Sequence, residues 1–217
     1  MFIIRLKEFK KMTFLPPIDM NQVKGFLDPL EGEALYSYAK KYVINKPALE
    51  IGSYCGKSAV FIGEGVKANN QKLYSIDHHK GSEEQQPGEE YFDPDLLSKD
   101  GESLDTLPHF LKTISDSNLK SYIIPVVSSS KEASEDMDLY FDMVFIDGGH
   151  SEEAAQADFN LWSKRLSKKG VLGIHDVFPN PDDGGRPPFN IYMNALDSGD
   201  FIELEAIKSL RILQRVN

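Results

Sequence analysis

The sequence predicts an α/β fold in which helices cover both faces of an open, mostly parallel sheet. Short apolar runs of strand length alternate with segments whose apolar residues recur at helical spacing. Several predicted strands end in Gly, Asp or His, as is typical of the carboxyl edge of a parallel sheet that binds ligands. With 217 residues, 41% of them hydrophobic, the chain is long enough for one globular domain with a sizeable core.

The residues before the first strand are expected to lead into this sheet. Pro16 and Pro17 exclude a helix at that point, because proline lacks the N–H donor. Apolar residues then recur at helical spacing and predict a first helix. They are Leu27, Leu30, Ala34, Leu35 and Tyr38. We expect residues 1–24 to be an N-terminal extension and residues 25–217 to be the domain itself.

A glycine turn between a predicted strand at 48–51 and a predicted helix at 57–66 is the most informative segment. Gly52 and Gly56 let the backbone approach a ligand, because neither residue carries a Cβ atom. The following helix presents unpaired N–H groups and the positive end of its dipole at this turn. The segment therefore predicts a ligand-binding junction.

Two ligand chemistries use such a turn, and a purely structural turn is a third interpretation. Gly52 to Ser58 reads G-x-x-x-G-K-S, one residue short of a phosphate-binding P-loop. The missing residue leaves the ring of amides around a phosphate incomplete. Glu50 would also repel a triphosphate, whereas its position two residues before the first glycine is similar to the S-adenosylmethionine (SAM) turn of Rossmann-like methyltransferases. We therefore favour SAM, a cationic ligand, over a nucleotide phosphate.

A second strand, at 73–77, ends in Asp77. This acid follows the glycine turn at about the interval expected for a carboxylate that binds both ribose hydroxyls of a nucleoside. Asp77 is therefore the ribose-binding candidate. The alternative is an acid that only caps a turn.

The connection at 78–103 is long and rich in Gly, Glu, Asp and Lys. Connections of this length at the carboxyl edge of a sheet are often binding loops. A disordered acidic insertion is the alternative, although Tyr91, Phe92, Leu96 and Leu97 supply apolar anchors.

A third strand is predicted at 121–127 and is followed by three serines and a helix. The hydroxyls of Ser129 and Ser130 could hydrogen-bond an adenine edge. They could equally cap the helix that follows.

The fourth predicted strand, at 142–147, delivers Asp147 and then Gly148, Gly149 and His150 to the same edge. A helix is expected to begin at Ser151 and to close at Gly170. Its apolar stripe is interpreted as core packing; it consists of Ala155, Phe159, Trp162 and Leu166.

The fifth strand, at 171–174, ends in His175 and Asp176. Four of the five histidines of the chain follow strand ends, and imidazole serves both as a base near neutral pH and as a metal ligand. Asp147, His175 and Asp176 together could hold a divalent cation from two adjacent strands. The alternative is that the two acids only cap the loops that follow.

Composition excludes several partners. The formal charge of −10 argues against a nucleic-acid surface and favours a small neutral or cationic ligand. The single cysteine, Cys55, excludes an intramolecular disulfide, and no apolar stretch reaches the length of a membrane span. The apolar run at the N-terminus is too short for a secretory signal. We therefore expect a cytoplasmic protein without membrane or nucleic-acid partners; whether it forms a homo-oligomer is open.

At these residues the sequence resembles a known family. The segment 49–60 is similar to the SAM motif of catechol O-methyltransferase. The segments 145–150 and 173–178 resemble bacterial class I methyltransferases that act on antibiotics and sugars. The resemblance spans residue 25 to the C-terminus. It implies a Rossmann-like open sheet, mostly parallel, to which residues 201–216 add an antiparallel C-terminal strand pair.

The resemblance also implies roles for individual residues. The methionine end of SAM would contact the turn, the ribose would contact Asp77, and the adenine would lie near Ser129 and Ser130. Asp147 would lie near SAM and bind a metal, while the catalytic lysine of the family falls on His150. The expected cofactor residues are Glu50, Gly52, Ser53, Tyr54, Gly56, Ser58, Asp77, Ser129, Ser130 and Asp147.

The expected activity is transfer of a methyl group from SAM to a hydroxyl of a small molecule, with His150 and Asp147 as catalytic residues. His175 and Asp176 stand where the family has an acid-amide or acid-acid pair, so a transition metal is favoured over magnesium if a cation binds. The loop at 179–188 is expected to be one wall of the acceptor pocket or an exposed turn. A P-loop nucleotide hydrolase or kinase and a non-catalytic SAM-binding module are the competing functions.

Overall fold

The computed structural model describes residues 14–99, 101, 103–149 and 151–217. Its seven strands belong to one sheet. The strands are β1 (Ala48–Ile51), β2 (Leu73–Asp77), β3 (Ile123–Val127), β4 (Phe141–Ile146), β5 (Leu166–Ile174), β6 (Phe201–Ile207) and β7 (Leu210–Arg215). The helices are α1 (Pro29–Tyr42), α2 (Lys57–Lys67), α3 (Leu107–Asp116), α4 (Ser130–Asp136), α5 (Glu152–Trp162) and α6 (Pro187–Asp197).

The strand order is β3-β2-β1-β4-β5-β7-β6. The first five strands of the chain pair in parallel, and β7 lies antiparallel between β5 and β6. The predicted α/β fold, with its mostly parallel sheet and antiparallel C-terminal strands, is confirmed. The chain order reverses between the neighbours β1 and β4, and in open parallel sheets ligands bind in the crevice at this point.

The core consists of two apolar layers, one on each face of the sheet. Alternate residues of a strand point to opposite faces, so Met143 and Phe145 pack on one side while Val144 and Ile146 pack on the other. The first layer is covered by α1, α2 and α3, and the second by α4, α5 and α6. Helices therefore lie on both faces, as predicted.

One predicted helix boundary was wrong. The helix expected to run from Ser151 to Gly170 ends at Trp162, and Leu166 already belongs to β5, where it pairs with Phe141. The helical spacing of the apolar residues continues past this point, but the backbone groups of Leu166 are taken up by the sheet. Pairing with a distant strand therefore overrides the local pattern.

Two helices were not predicted. Helix α3 follows the long connection, and α6 begins at Pro187, inside the segment that was interpreted as a loop. Proline suits the first turn of a helix, because the N–H that it lacks would have no partner there.

The described part of the N-terminal extension packs on the core. The ring of Phe14 stacks on Tyr36 of α1 at a centroid distance of 3.8 Å. The domain boundary at residue 24 stays a prediction, and residues 1–13 lie outside the described part. Within the described ranges, no helix is both long and apolar enough to cross a bilayer.

Candidate functional site

A cleft of about 1170 Å³ opens at the carboxyl ends of β1, β2, β4 and β5. It collects most of the residues that the sequence marked for the cofactor. Those on its walls are Gly52, Ser53, Tyr54, Ser58, Asp77, Ser129, Ser130 and Asp147. The two others, Glu50 and Gly56, are buried and do not line the cleft.

Glycine is required in the turn after β1 for a steric reason. Gly52 has φ +83°, and a Cβ atom on it would lie 2.0 Å from the carbonyl oxygen of Asp147. Gly56 has φ +90° and immediately precedes α2. Both residues adopt the left-handed conformation that side chains disfavour, and the turn lies directly against the end of β4.

Glu50 lies beneath this turn and is fully buried. Its Oε1 accepts a hydrogen bond of 2.6 Å from Ser58 Oγ, and its Oε2 accepts one from Ser75 Oγ. Burial raises the pKa of Glu50 to about 7, although the two hydroxyls oppose the shift. A neighbouring cation would favour the ionised form, so this carboxyl is suited to respond to a cationic ligand in the cleft.

Asp77 holds the glycine turn in place. Its Oδ2 accepts the N–H groups of Ser53 at 2.9 Å and Tyr54 at 2.8 Å. Its Oδ1 accepts the N–H of His79 at 2.7 Å. Asp77 therefore caps the turn, as the alternative interpretation expected. It also lines the cleft, and its contact with a ribose stays a prediction.

The serines after β3 cap α4 and also line the cleft. Ser129 is the N-cap of α4, and its Oγ accepts a hydrogen bond of 3.2 Å from Glu132 N. Ser130 Oγ accepts a hydrogen bond of 2.8 Å from Trp162 Nε1. Ser130 also bonds Asp158, a buried acid of α5 whose pKa is raised to about 6 by burial. Asp158 lines the same end of the cleft and was not expected from the sequence, because α5 was assigned to core packing.

Three of the predicted residues meet at the ends of β4 and β5. His175 Nδ1 lies 3.0 Å from Asp147 Oδ1 and 3.4 Å from Asp176 Oδ1. The other ring nitrogen, Nε2, lies 3.0 Å from Oε2 of Glu31 in α1. His175 is therefore enclosed by carboxylates on both sides of its ring.

This arrangement favours a charged imidazole. Burial opposes protonation of His175, but Asp147, Asp176 and Glu31 outweigh it and raise its pKa well above the ordinary value. Burial likewise opposes ionisation of Glu31, yet His175 and Ser209 outweigh it and lower its pKa.

Glu31 was missed in the sequence. The segment from Asp28 to Glu31 carries the D-x-x-E pattern of a helix capping box, and the structure contains that box. The pattern explains why Glu31 begins a helix. Its contact with His175, 144 positions later in the chain, has no local signal.

The cluster of Asp147, His175 and Asp176 could hold a divalent cation. Each residue offers a ligand atom, and these atoms lie within 4.8 Å of one another. Adjacent ligands about 2.1 Å from a metal are separated by about 3 Å, which matches the Nδ1 distances. Metal-bound histidines commonly donate their second N–H to a carboxylate, and Glu31 occupies that place. Metal binding at Nδ1 would release its proton.

Two loops complete the walls of the cleft. Phe26 precedes α1 and contacts Tyr91 of the long connection at a centroid distance of 5.3 Å. Lys24 forms ion pairs with Asp93 and Asp95 of the same connection. The loop after β5 contributes a further set of wall residues. They are Phe178, Asp182, Asp183, Gly184 and Gly185. His150, the predicted base, lies outside the described residues.

The described walls of the cleft are strongly acidic. Ten carboxylate residues and three lysines line it. The acids are Asp77, Glu83, Glu84, Glu89, Glu90, Asp147, Asp158, Asp176, Asp182 and Asp183, and the lysines are Lys24, Lys57 and Lys131. Such a surface attracts cations and repels polyanions.

The two residues that a P-loop would need are engaged elsewhere. Lys57 Nζ donates a hydrogen bond of 2.9 Å to the Gly25 carbonyl, and Ser58 Oγ donates to Glu50. Neither is arranged around a phosphate, and the acidic walls would repel one.

Comparison with known proteins agrees with this geometry. A family model described as "Methyltransferase domain" matches residues 49–177, the segment from β1 to just beyond Asp176. An O-methyltransferase from Bacillus cereus in complex with S-adenosylhomocysteine (SAH) superimposes with a TM-score of 0.62 at 15% identity, over 91% of this chain and 85% of that one. A SAH-bound methyltransferase from Podospora anserina superimposes with a TM-score of 0.62 at 13% sequence identity, over 88% of this chain and 80% of that one.

A third solved structure broadens the comparison. An rRNA methylase from Streptococcus thermophilus superimposes with a TM-score of 0.55 at 11% identity, over 89% of this chain and all of that one. At these identities the similarity concerns the fold, and it spans proteins described with different acceptors.

Proposed function

The chain belongs to a family of methyltransferase domains, and from this premise we propose that it transfers a methyl group from SAM to a hydroxyl of a small molecule. The observation that carries the proposal is the extent of the family match. Residues 49–177 contain the glycine turn, Asp77, Asp147 and the pair His175 and Asp176. All of these converge on one cleft at the point where the strand order reverses.

SAM supplies an electrophilic methyl group on a cationic sulfonium. The turn from Gly52 to Tyr54 and the N-terminus of α2 would hold its methionine end, with Glu50 beneath them. Asp77 would bind the ribose, and Ser129 and Ser130 would face the adenine. The buried Asp158 beside Ser130 supports a polar subsite at that end of the cleft.

Methyl transfer is an in-line displacement, so the protein has to align donor and acceptor and to deprotonate a weak hydroxyl nucleophile. His150 is the proposed base, and Asp147, three residues earlier in the sequence, directly follows β4. A cation on Asp147, His175 and Asp176 would lower the pKa of the hydroxyl and orient it. Glu31 would hold the His175 ring in either case.

The charge of the cleft supports a neutral or cationic acceptor. Among the described residues of its walls, carboxylates outnumber lysines by ten to three, and Lys24 is paired with Asp93 and Asp95. An RNA acceptor or another polyanion would meet repulsion on approach. We therefore propose a small-molecule acceptor rather than RNA. A cytoplasmic location is proposed from the sequence alone.

The proposal is tested first by binding and then by turnover. Calorimetry should detect binding of SAM and SAH and no binding of ATP, because of Glu50 and the shortened turn. Tight ATP binding without SAM binding would refute it. Formation of SAH and a methylated product over a panel of phenols, sugars and amino sugars then separates an enzyme from a non-catalytic SAM-binding module, which would bind SAM without turnover.

A further inference from the structure

Glu31 connects three parts of the fold through one buried carboxylate. Its Oε1 accepts three hydrogen bonds from the turn between β6 and β7, from Ser209 N at 2.8 Å, Ser209 Oγ at 2.8 Å and Leu210 N at 3.1 Å. Its Oε2 accepts Asp28 N at 3.1 Å and lies 3.0 Å from His175 Nε2. Only 2% of Glu31 is exposed, so these contacts are shielded from water.

The two oxygens of Glu31 are not interchangeable. Two of the three donors to Oε1 are backbone N–H groups, which cannot turn away. Oε1 is therefore fixed on the turn between β6 and β7, and Oε2 is fixed toward the imidazole. Because Oε2 is a hydrogen-bond acceptor that faces Nε2 of His175, Nε2 must carry a proton.

We propose that Glu31 is the positioning residue of the site: its carboxylate keeps a proton on Nε2 of His175, so that Nδ1 is the ring nitrogen that faces Asp147 and Asp176 and can give up its proton to a cation. The inference rests on the proposed function insofar as Nδ1 is taken to bind a cation. The position of the proton is a property of the protein alone. The C-terminal strand pair thus contributes to the site through Ser209 and Leu210, although neither residue reaches the cleft.

Glu31→Gln provides a sharp test because it keeps the shape and replaces one acceptor by a donor. The glutamine oxygen will remain on the two fixed N–H groups of Ser209 and Leu210. Its NH₂ group will then take the place of Oε2, where it loses the hydrogen bond from Asp28 N and donates to Nε2 of His175. The only proton left on the ring is then on Nδ1, so a cation could bind Nδ1 only if the ring lost both of its protons.

The measurement is ¹H–¹⁵N correlation spectroscopy of protein labelled at histidine nitrogen, combined with Mn²⁺ and Zn²⁺ titrations. In the wild type we expect a protonated Nε2 that stays protonated when Zn²⁺ shifts Nδ1. In folded Glu31→Gln we expect Nε2 to lose its proton and the Mn²⁺ affinity to fall about 10- to 100-fold. The proposal would be overturned if Glu31→Gln kept the Nε2 proton. It would also be overturned if the wild type bound Mn²⁺ and Glu31→Gln bound it with the same affinity.

Asp142→Asn is the matched control. Asp142 is a buried carboxylate that accepts three backbone N–H groups, those of Ile44, Asn45 and Lys46, near the opposite end of β4. Its replacement should lower stability and leave the His175 signals and the Mn²⁺ affinity unchanged.

Two further outcomes are decisive. If Glu31→Gln does not fold, the wild type alone tests the role of Glu31. The proposal is then contradicted if Zn²⁺ binds through Nε2 of His175, or if Nε2 is unprotonated in the metal-free protein. If the wild type binds neither metal, the metal-binding part of the proposed function fails, and the Nε2 signal in Glu31→Gln still decides the role of Glu31.

Discussion

The backbone at Gly52 touches the carbonyl of Asp147 so closely that a Cβ atom on Gly52 would lie 2.0 Å from that oxygen. The contact joins the turn after β1 to the end of β4, which are neighbours in the sheet but almost a hundred residues apart in sequence. Because the contact is between backbone atoms, no side-chain rearrangement can relieve it. It sets the spacing between the proposed SAM turn and the proposed catalytic edge.

Gly52→Ala should therefore damage the site more than an ordinary glycine replacement. Gly199→Ala is the control, because Gly199 also has positive φ, +73°, but nothing lies within 4 Å of its added Cβ. We expect the control to lose about 1–2 kcal/mol of unfolding free energy and Gly52→Ala to lose clearly more, together with SAM binding. Urea denaturation and calorimetry measure both. Equal losses in the two variants would show that the contact with Asp147 is unimportant.

Asp77→Asn should weaken SAM binding by about 1–3 kcal/mol if a buried ribose hydroxyl loses its partner. Since Asp77 also caps the turn, the ribose contribution needs a double-mutant cycle with a 2′-deoxy analogue of SAM. The wild type should discriminate against the analogue and Asp77→Asn should not. Asp19→Asn, another turn-capping acid that bonds Asn21 N, serves as the control. If Asp77→Asn discriminated between SAM and the 2′-deoxy analogue as strongly as the wild type, Asp77 would not bind the ribose.

SAM affinity should depend on pH through Glu50. Its pKa is raised to about 7 in the ligand-free protein, so below pH 7 a proton must leave before the carboxylate can stabilise a cation. Affinity should rise by up to about tenfold per pH unit toward 7 and then level off. Glu50→Gln should bind more weakly at pH 8 and show no such rise. A flat wild-type profile would place the positive charge of SAM away from Glu50.

The same shift has a consequence for stability. The pKa of Glu50 is higher in the folded protein than its ordinary 4.5, so the folded state binds more protons between about pH 4.5 and 7. The contribution of Glu50 to the unfolding free energy is therefore present at low pH and lost as the pH rises through this window. Glu50→Gln should lack that loss, which thermal unfolding at pH 5 and pH 8 measures.

A chelator should lower turnover if the proposed cation takes part. Asp147 and Asp176 supply oxygen and His175 supplies nitrogen, so Mn²⁺, Fe²⁺, Ni²⁺ or Zn²⁺ should restore activity better than Mg²⁺. His175→Ala should impair metal binding more than SAM binding, as separate titrations would show.

His150→Ala should abolish most of the turnover while SAM still binds, because deprotonation of the acceptor would lack its base. This variant and the chelator experiment together distinguish catalysis with a metal from catalysis without one. Full turnover of the chelated wild type, together with an inactive His150→Ala, would indicate metal-free general base catalysis and contradict the metal assignment.

Local signals in the sequence were sufficient for the parallel sheet and for the location of the site. Strand β2 was predicted with its observed bounds, and Gly52, Asp77, Asp147 and His175 were all placed at one edge. This succeeded because strand length, glycine turns and acids at strand ends are set by the backbone of a few consecutive residues. The predicted helix end at Gly170 was wrong, because Leu166 pairs with Phe141 in the sheet and this long-range pairing has no local signal.

The tertiary structure alone decided what the site residues touch. The sequence identified His175 as a metal ligand candidate, but its enclosure between Asp147 and Glu31 depends on packing α1 against the end of β5. Likewise, the strand that ends in Asp77 could be recognised locally, whereas its bonds to the turn at Ser53 and Tyr54 required β1 and β2 to pair. Local patterns fix where the chain turns, but the charge and proton position of a buried group depend on neighbours that only the complete fold supplies.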